Sequence, residues 1–486
     1  VFYTDHLGVE PSKSYTVDWT IYPSKGTDYF DFVNRVRRDW KVNYTVPGPF
    51  VFTDNKPAAG RRAKLYAMHP FFLYADGGHL NKEETKALLK PQVESLLAAE
   101  PDAEPLGMIE TNLVTLDRNK LPGADFTTER VYGLEATQAQ TKLMEQSPLY
   151  GPWADSWPRT PDGRAVVDTY YGYKSYLMNM MTYPVIGNHQ YDFMKWQVDY
   201  LMDEIGCKGI YIDQFDIGYN LKAAGRPDYS KWDGHTVDLD SRGEITLKYT
   251  DETLAGASAR AGLVKHIIGK GGLVVTNGHS CARETTGLPI LSFTETEWAC
   301  SDPRQLVETV QPMIVSDAAA GHLASPIGLG IRPTGIFQGN PYAQEHFAEI
   351  VHKWVITLLR NGTLYYYYMS NIPSTGPGAG EYGVINYMFP FTPVELHSGW
   401  LVGKERTLTA ISGKYDWKHS DKPVCLVFDL KGRRVENPEV TMVRKGRSWQ
   451  VDLKLVDWTQ TAVIMSAKDL KQDAPAAQPG TVTTGK

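Results

Sequence analysis

Positive charge is in short supply. Lys and Arg total 50 against 56 Asp and Glu in 486 residues, a formal net charge of -6. Nucleic-acid binders usually present a net basic face, so this balance argues against that class of partner. No run of about 18 apolar residues occurs, which argues against a membrane-spanning helix. Cysteine is scarce: Cys207, Cys281, Cys300 and Cys425 are scattered without a CxxC pair, the pattern of isolated thiols rather than of a disulfide framework. GxGxxG, Walker A, GxSxG and HExxH are all missing, so the usual signals of a nucleotide site, a serine-hydrolase elbow and a zinc centre are absent. No cofactor and no metal is expected. Residue 1 is Val, and no charged stretch leading into an apolar one follows it, so the reading finds no signal peptide.

Aromatic residues, by contrast, are plentiful. Trp 12, Tyr 28 and Phe 16 make up 12%; such rings stack on the flat faces of ligands such as sugars, and large α/β cores also consume them. Hydrophobic residues at 42% and charged residues at 22% are the balance of a folded enzyme. The length suits a barrel with an accessory module.

The segment "SYTVDWTIYPS" alternates like the last strand of a β domain, so residues 1–27 are expected to be the remnant of an upstream β domain and a linker. "DYFDFVNRVRRDW" then reads as a helix. From 28 to 388, short apolar runs alternate with helical patterns. Expected strands are 45–52, 63–74, 105–113, 209–215, 272–278, 289–298, 333–339 and 363–369; expected helices are 82–100, 190–206 and 342–362. In the second helix Met194, Val198, Leu201 and Ile205 recur on one face, and Gly206 is a fitting stop. About eight strands alternating with helices predict a (β/α)₈ TIM barrel. Residues 114–175, rich in Pro, Gly, Tyr and Trp ("SPLYGPWADSWPRTPDGR"), read as a long loop over the barrel mouth. From 389 to 467 the period changes to two, predicting a small antiparallel β-sandwich. Its Trp400, Trp417 and Trp458 fall on separate strands or their ends, so the domain reads as a structural companion of the barrel. The Pro- and Ala-rich tail, 468–486, is expected to be disordered.

In a parallel barrel, reactive residues sit at the C-terminal strand ends. "GCKGIYIDQFD" places Tyr211 and Asp213 on one side of a strand and Ile210 and Ile212 on the other, with Asp213 at its end. Capping the next turn is the plain structural alternative. "RETTGLPILSFTETEW" places Glu295 and Glu297 two apart on an apolar strand, where carboxylates are costly unless paired or catalytic. Arg283, Arg304 and Arg332 are the alternative ion-pair partners. Glu284 is a third candidate. An Asp on one strand end and a Glu on another suit a division of labour in which one carboxylate attacks an oxocarbenium-like centre and the other protonates the departing oxygen.

"KWQVDYLMDEIGCKGIYIDQFD" resembles the segment in several retaining glycoside hydrolase families where a helix leads into the fourth barrel strand, ending in an Asp nucleophile. "TNGHSCARETTGLPILSFTETEW" and "PFTPVELHSGWLVGKERTLTAISGKYDW" are similar to the middle section and the trailing β domain of uncharacterised bacterial glycoside-hydrolase-like proteins. The resemblance implies Asp213 as nucleophile and Glu295 or Glu297 as general acid/base. A carbohydrate pocket would then be lined by His69, Asp76, Glu110, Asn112, Tyr183, His189, Gln214, Asn277, His279, Glu284, Trp298 and Arg332. The substrate is expected to be an oligo- or polysaccharide, and the location secreted or periplasmic. A non-catalytic carbohydrate-binding barrel, or a lyase or transglycosidase, is the alternative.

Overall fold

The computed structural model describes residues 6–23, 26–53, 63–69, 82–121, 134–168, 177–215, 227–279, 282–296, 321–330, 341–367 and 383–472. Residues 13–23 carry no assigned strand or helix. Helix α1 (Tyr29–Trp40) starts where the Asp28 side chain accepts from the Phe30 N–H. Strands β1 (Phe50–Thr53) and β2 (Leu65–Met68) precede α2 (Lys82–Ala99), which leads into β3 (Glu104–Glu110). Next come β4 (Leu113–Asp117), β5 (Leu134–Glu135), α3 (Gln138–Gln146), β6 (Val166–Asp168) and β7 (Leu177–Met181). Helix α4 (His189–Asp199) widens into a π-type turn over Tyr200–Ile205 and feeds β8 (Gly209–Asp213). A hairpin, β9 (Val237–Leu239) and β10 (Ile245–Lys248), is followed by α5 (Glu252–Gly269), β11 (Leu273–Asn277) and β12 (Leu291–Glu295). Then come β13 (Ile327–Leu329), α6 (Pro341–Glu345), α7 (Phe347–Arg360) and β14 (Leu364–Tyr366).

Eight strands pair in the order β1-β2-β3-β8-β11-β12-β13-β14, a nearly closed parallel barrel. Its strands are short and buried along nearly their whole length, as strands covered on both faces must be. The expected barrel is therefore present. The strand expected at 333–339 lies outside the described residues, and β13 at Ile327–Leu329 was not anticipated. Helix α5 also escaped prediction.

The chain falls into two compact units, Val1–Pro23 with Met68–Ile290 and Ser24–Ala67 with Leu291–Lys486. In the first, the stripe Met194, Val198, Leu201 and Ile205 on α4 and its extension is buried. Gly206 ends that helix in the left-handed region at φ 93°. Gly209 opens β8 where an added Cβ would stand 2.4 Å from the Leu273 carbonyl oxygen, so a larger residue would push the strands apart.

Residues 114–175 are not simply a loop. β4, β7, β6 and β5 form an antiparallel sheet in that order around a core of its own that includes Val114, Leu116, Tyr150, Trp153, Trp157 and Met180. The Pro- and Gly-rich spacing suggested a loop, but its tryptophans are buried apolar mass rather than exposed platforms.

In the second unit, Phe50 packs against Phe293 and Tyr366, and α7 buries Trp354, Val355, Leu358 and Leu359. After Met388 come β15 (Pro393–His397), β16 (Trp400–Gly403), β17 (Arg406–Thr409), β18 (Gly413–Trp417), β19 (Pro423–Phe428), β20 (Glu439–Lys445), β21 (Ser448–Lys454) and β22 (Thr461–Ser466), closed by α8 (Ala467–Gln472). They form a five-stranded sheet, β15-β16-β17-β22-β19, and a three-stranded one, β18-β21-β20. Both sheets contribute to one apolar cluster through Tyr415, Trp417, Val427, Val451, Leu453 and Ile464. Of the cysteines, Cys207 and Cys425 are free thiols, and burial pushes each up to about 12. Cys281 and Cys300 lie outside the described residues.

Candidate active site

Strands β3, β8 and β11 bring a row of polar residues to their C-terminal ends. Their register pairs Ile109 with Ile212 and Glu110 with Asp213 on one side, and Thr276 with Ile212 on the other. Neighbouring parallel strands lie about 4.8 Å apart and residues in register share a face. Glu110, Asp213 and Asn277 therefore stand side by side. Glu110 and Asn277 are buried, while Asp213 retains partial exposure.

The Asp213 carboxylate is held by donors. Oδ1 accepts from Asn277 Nδ2 at 2.7 Å and from Tyr211 Oη at 2.8 Å. Tyr211 reaches it because strand alternation puts residues two apart on one face. Burial pushes the Asp213 carboxyl above the usual carboxylate range, opposed by the hydrogen bonds from Asn277, Tyr211 and the Gln214 N–H. Burial disfavours the charged form and the donors favour it; here burial dominates.

The backbone turns sharply just beyond this carboxylate. Gln214 has φ 45°, a left-handed conformation uncommon for a residue with a side chain. Both flanking strands brace it. Thr111 donates to the Asp213 carbonyl from its N–H (3.3 Å) and its Oγ1 (3.2 Å). Asn112 Nδ2 donates to the Gln214 carbonyl at 2.9 Å, and the Phe215 N–H donates to the Asn277 carbonyl at 3.1 Å. Gln190 on α4 ties Thr111 in turn, its Nε2 donating to the Thr111 carbonyl at 2.6 Å. Tyr211, Thr111 and Gln190 were not singled out as functional from the sequence. The period-two pairing of Tyr211 with Asp213 was the one signal that could have flagged any of them.

The other expected site residues divide into groups. His279, two positions beyond Asn277, is buried, and His69 directly after β2 is half-buried. Tyr183 is buried with its hydroxyl donating to Asp228 Oδ2 at 2.6 Å. Asp228, itself fully buried, also takes the Arg159 N–H and the Ser230 hydroxyl. Burial and the Asp228 charge push the Tyr183 hydroxyl well above its ordinary range. Tyr183 is thus part of a buried tie. The exposed His189 caps the edge of Trp153, ring centroids 4.5 Å apart. Glu284 is exposed, and its neighbour Arg283 pairs with Asp18 at 2.8 Å.

In the second unit Glu295 ends β12, half-buried, in register with Leu329. The following Thr296 is anchored, accepting from Trp354 Nε1 at 3.1 Å and donating to the Leu329 carbonyl. Asp76, Glu297, Trp298 and Arg332 lie outside the described residues, as does Arg304. Among the described residues, no group of three or more His, Cys, Asp and Glu is arranged to hold a metal ion, and no helix is long and apolar enough to cross a membrane.

No protein-family model matches the chain, and no curated protein sequence does. Solved structures similar to it include Amy13B of Eubacterium rectale, with a TM-score of 0.41 and 8% identity over 90% of this chain and 99% of that one. A GH31 family sulfoquinovosidase from E. rectale, in complex with an aza-sugar inhibitor, has a TM-score of 0.40 and 9% identity over 92% of this chain and 67% of that one. An alpha-amylase from Malbranchea cinnamomea has a TM-score of 0.37 and 9% identity over 85% and 87%.

Proposed function

We propose that this chain is a glycoside hydrolase acting on an oligo- or polysaccharide, with Asp213 as its nucleophile. One observation carries the reading: a partly exposed carboxylate at the C-terminal end of a barrel strand, fixed by two side-chain donors on Oδ1 and standing in register with a second carboxylate, Glu110. The donors set the carboxylate's orientation and support its charge, while burial keeps it from being fully solvated.

In the proposed mechanism the ionised Asp213 attacks the anomeric carbon as the bond to the leaving oxygen breaks, and a carboxylic acid donates its proton to that oxygen. The resulting glycosyl ester is hydrolysed by water, with the same acid, now a base, taking the water's proton. This is net retention. Glu295 or Glu297 is proposed as that acid/base from its place in the sequence. Glu110, Asn277, Gln214 and His279 are proposed to meet sugar hydroxyls. A substrate of this class makes a secreted or periplasmic location the proposal.

The test is release of reducing sugar from a polysaccharide and aryl-glycoside panel by the wild type and by Asp213→Asn. Turnover by the wild type that is lost in the variant supports the reading. Turnover that survives the substitution refutes it, and sugar binding without any turnover would identify a binding barrel instead.

A further inference from the structure

Resting on that reading, we infer that Asn112 is a positioning residue for Asp213, acting through the strained backbone of Gln214. Asn112 is fully buried and lies just beyond β3, where β4 of the inserted sheet begins one residue later. A buried amide is costly unless its polar atoms are bonded. Its Nδ2 donates to the carbonyl of Gln214, the residue that follows the nucleophile. Its own carbonyl accepts from the Thr182 N–H at 2.8 Å, just after β7. Asn112 therefore links the inserted sheet to the turn that carries the reactive carboxylate.

Gln214 explains why such a link is needed. A residue with a Cβ held at φ 45° carries a cost on the order of 1 kcal/mol and persists only where its surroundings over-determine it. Three braces do so: Thr111 on the Asp213 carbonyl, Asn112 on the Gln214 carbonyl, and the Phe215 N–H on the Asn277 carbonyl. Without the Asn112 brace the carbonyl of the Gln214–Phe215 peptide loses its donor, that peptide is held only through the Phe215 N–H, and Gln214 is free to rotate toward an ordinary backbone. That rotation moves the Cα of Asp213 relative to Asn277 Nδ2 and Tyr211 Oη. A displacement on the order of 1 Å at a reacting group costs about a hundredfold in rate.

A double-mutant cycle separates this role from a merely structural one. Asn112→Ala is expected to lower kcat by roughly 30-fold with KM changed less than about threefold, because the loss falls on the reacting geometry. Glycine adopts positive φ without strain. In a Gln214→Gly background, whatever its own activity, Asn112→Ala should therefore cost less than about fivefold, a coupling that additive sites do not show. Asn112→Asp, which keeps the volume and replaces the donor by an acceptor, is the companion variant should the alanine variant fold poorly. It is expected to lose kcat like the alanine variant at neutral pH. An equal loss in both backgrounds, or a loss confined to KM, overturns the inference. If instead Asp213→Asn retains full turnover, the hydrolase reading itself fails, and that result is read independently of the Asn112 cycle.

Discussion

Glu110 and Asp213 are register partners on adjacent parallel strands, so two carboxylates leave one face side by side at the ends of β3 and β8. A buried acid beside a partly buried one is placed there at a cost, and functional sites are where such costs are retained. With Asp213 as the proposed nucleophile, Glu110 is proposed to bind a sugar hydroxyl close to it. Glu110→Gln is predicted to weaken transition-state binding by roughly 1.5–3 kcal/mol, the worth of a hydrogen bond to a charged group. Measured kcat/KM on the best substrate checks this; an unchanged value contradicts it.

Asp213→Asn is predicted to abolish turnover, by roughly a thousandfold or more, while raising the thermal midpoint. The sign follows from burial: the folded carboxyl titrates above its unfolded value, so its contribution to stability is present below the unfolded pKa and lost as pH rises through the folded one. The stability advantage of the Asn variant should therefore grow from acid toward neutral pH. Midpoints of both proteins across pH 3–8 (roughly the range that brackets carboxylate titration) measure it, and a difference independent of pH would contradict the assignment.

Removing a donor to the Asp213 carboxylate should raise its pKa further, because Asn277 and Tyr211 favour the charged form. Tyr211→Phe and Asn277→Ala are each predicted to move the acidic limb of kcat/KM to higher pH. A limb that stays in place or moves down would show that Asp213 does not control it.

The strand that carries Asp213 was legible from residue order alone. Tyr211 and Asp213 alternate with Ile210 and Ile212, which identified both the strand and the face of its terminal carboxylate. The stripe from Met194 to Ile205 revealed the preceding helix. The brace on Gln214 was not legible, because a left-handed residue with a side chain leaves no mark in the sequence, and the contact from Asn112 spans 102 residues. The inserted sheet was read as loop because Pro and Gly spacing dominated over its core of Trp153 and Trp157. Helix α5 was missed because its small residues, as in "LAGASARAGL", blur the apolar stripe that marks an amphipathic helix.

Trp157 is fully buried in the inserted sheet's core. Trp157→Ala is predicted to cost roughly 3–5 kcal/mol, the usual range for deleting a buried aromatic side chain. Denaturant unfolding checks it; a loss within about 0.5 kcal/mol, as for a surface substitution, would contradict the buried placement.

Two buried histidines make the second unit sensitive to acid. His322 accepts or donates with Tyr29 at 3.2 Å and faces the Asn361 carbonyl at 2.5 Å, and His352 lies against Thr461 at 3.4 Å. Burial lowers each to about 4 from an ordinary 6.5. The unfolded chain binds these protons first, so stability present above about pH 6.5 is lost as pH falls toward 4, by roughly 3 kcal/mol per histidine at 1.36 kcal/mol per pH unit. His322→Gln should flatten this dependence in urea titrations; an unchanged slope between those pH values would contradict it.

If Glu295 or Glu297 is the acid/base, its Gln variant should lose most activity on substrates with poor leaving groups and much less on activated aryl glycosides, with azide restoring turnover of the latter. Testing both variants identifies which carboxylate serves. Equal losses on all leaving groups would assign the residue to binding instead.

Trapping of the covalent intermediate bears most directly on Asp213. A fluorinated glycoside matched to the best substrate, incubated with the enzyme and followed by proteolysis and peptide mass analysis, should leave the sugar esterified to the peptide carrying Asp213. The same treatment of Asp213→Asn should leave none. A sugar ester on any other carboxylate would contradict the assignment of Asp213 as the nucleophile.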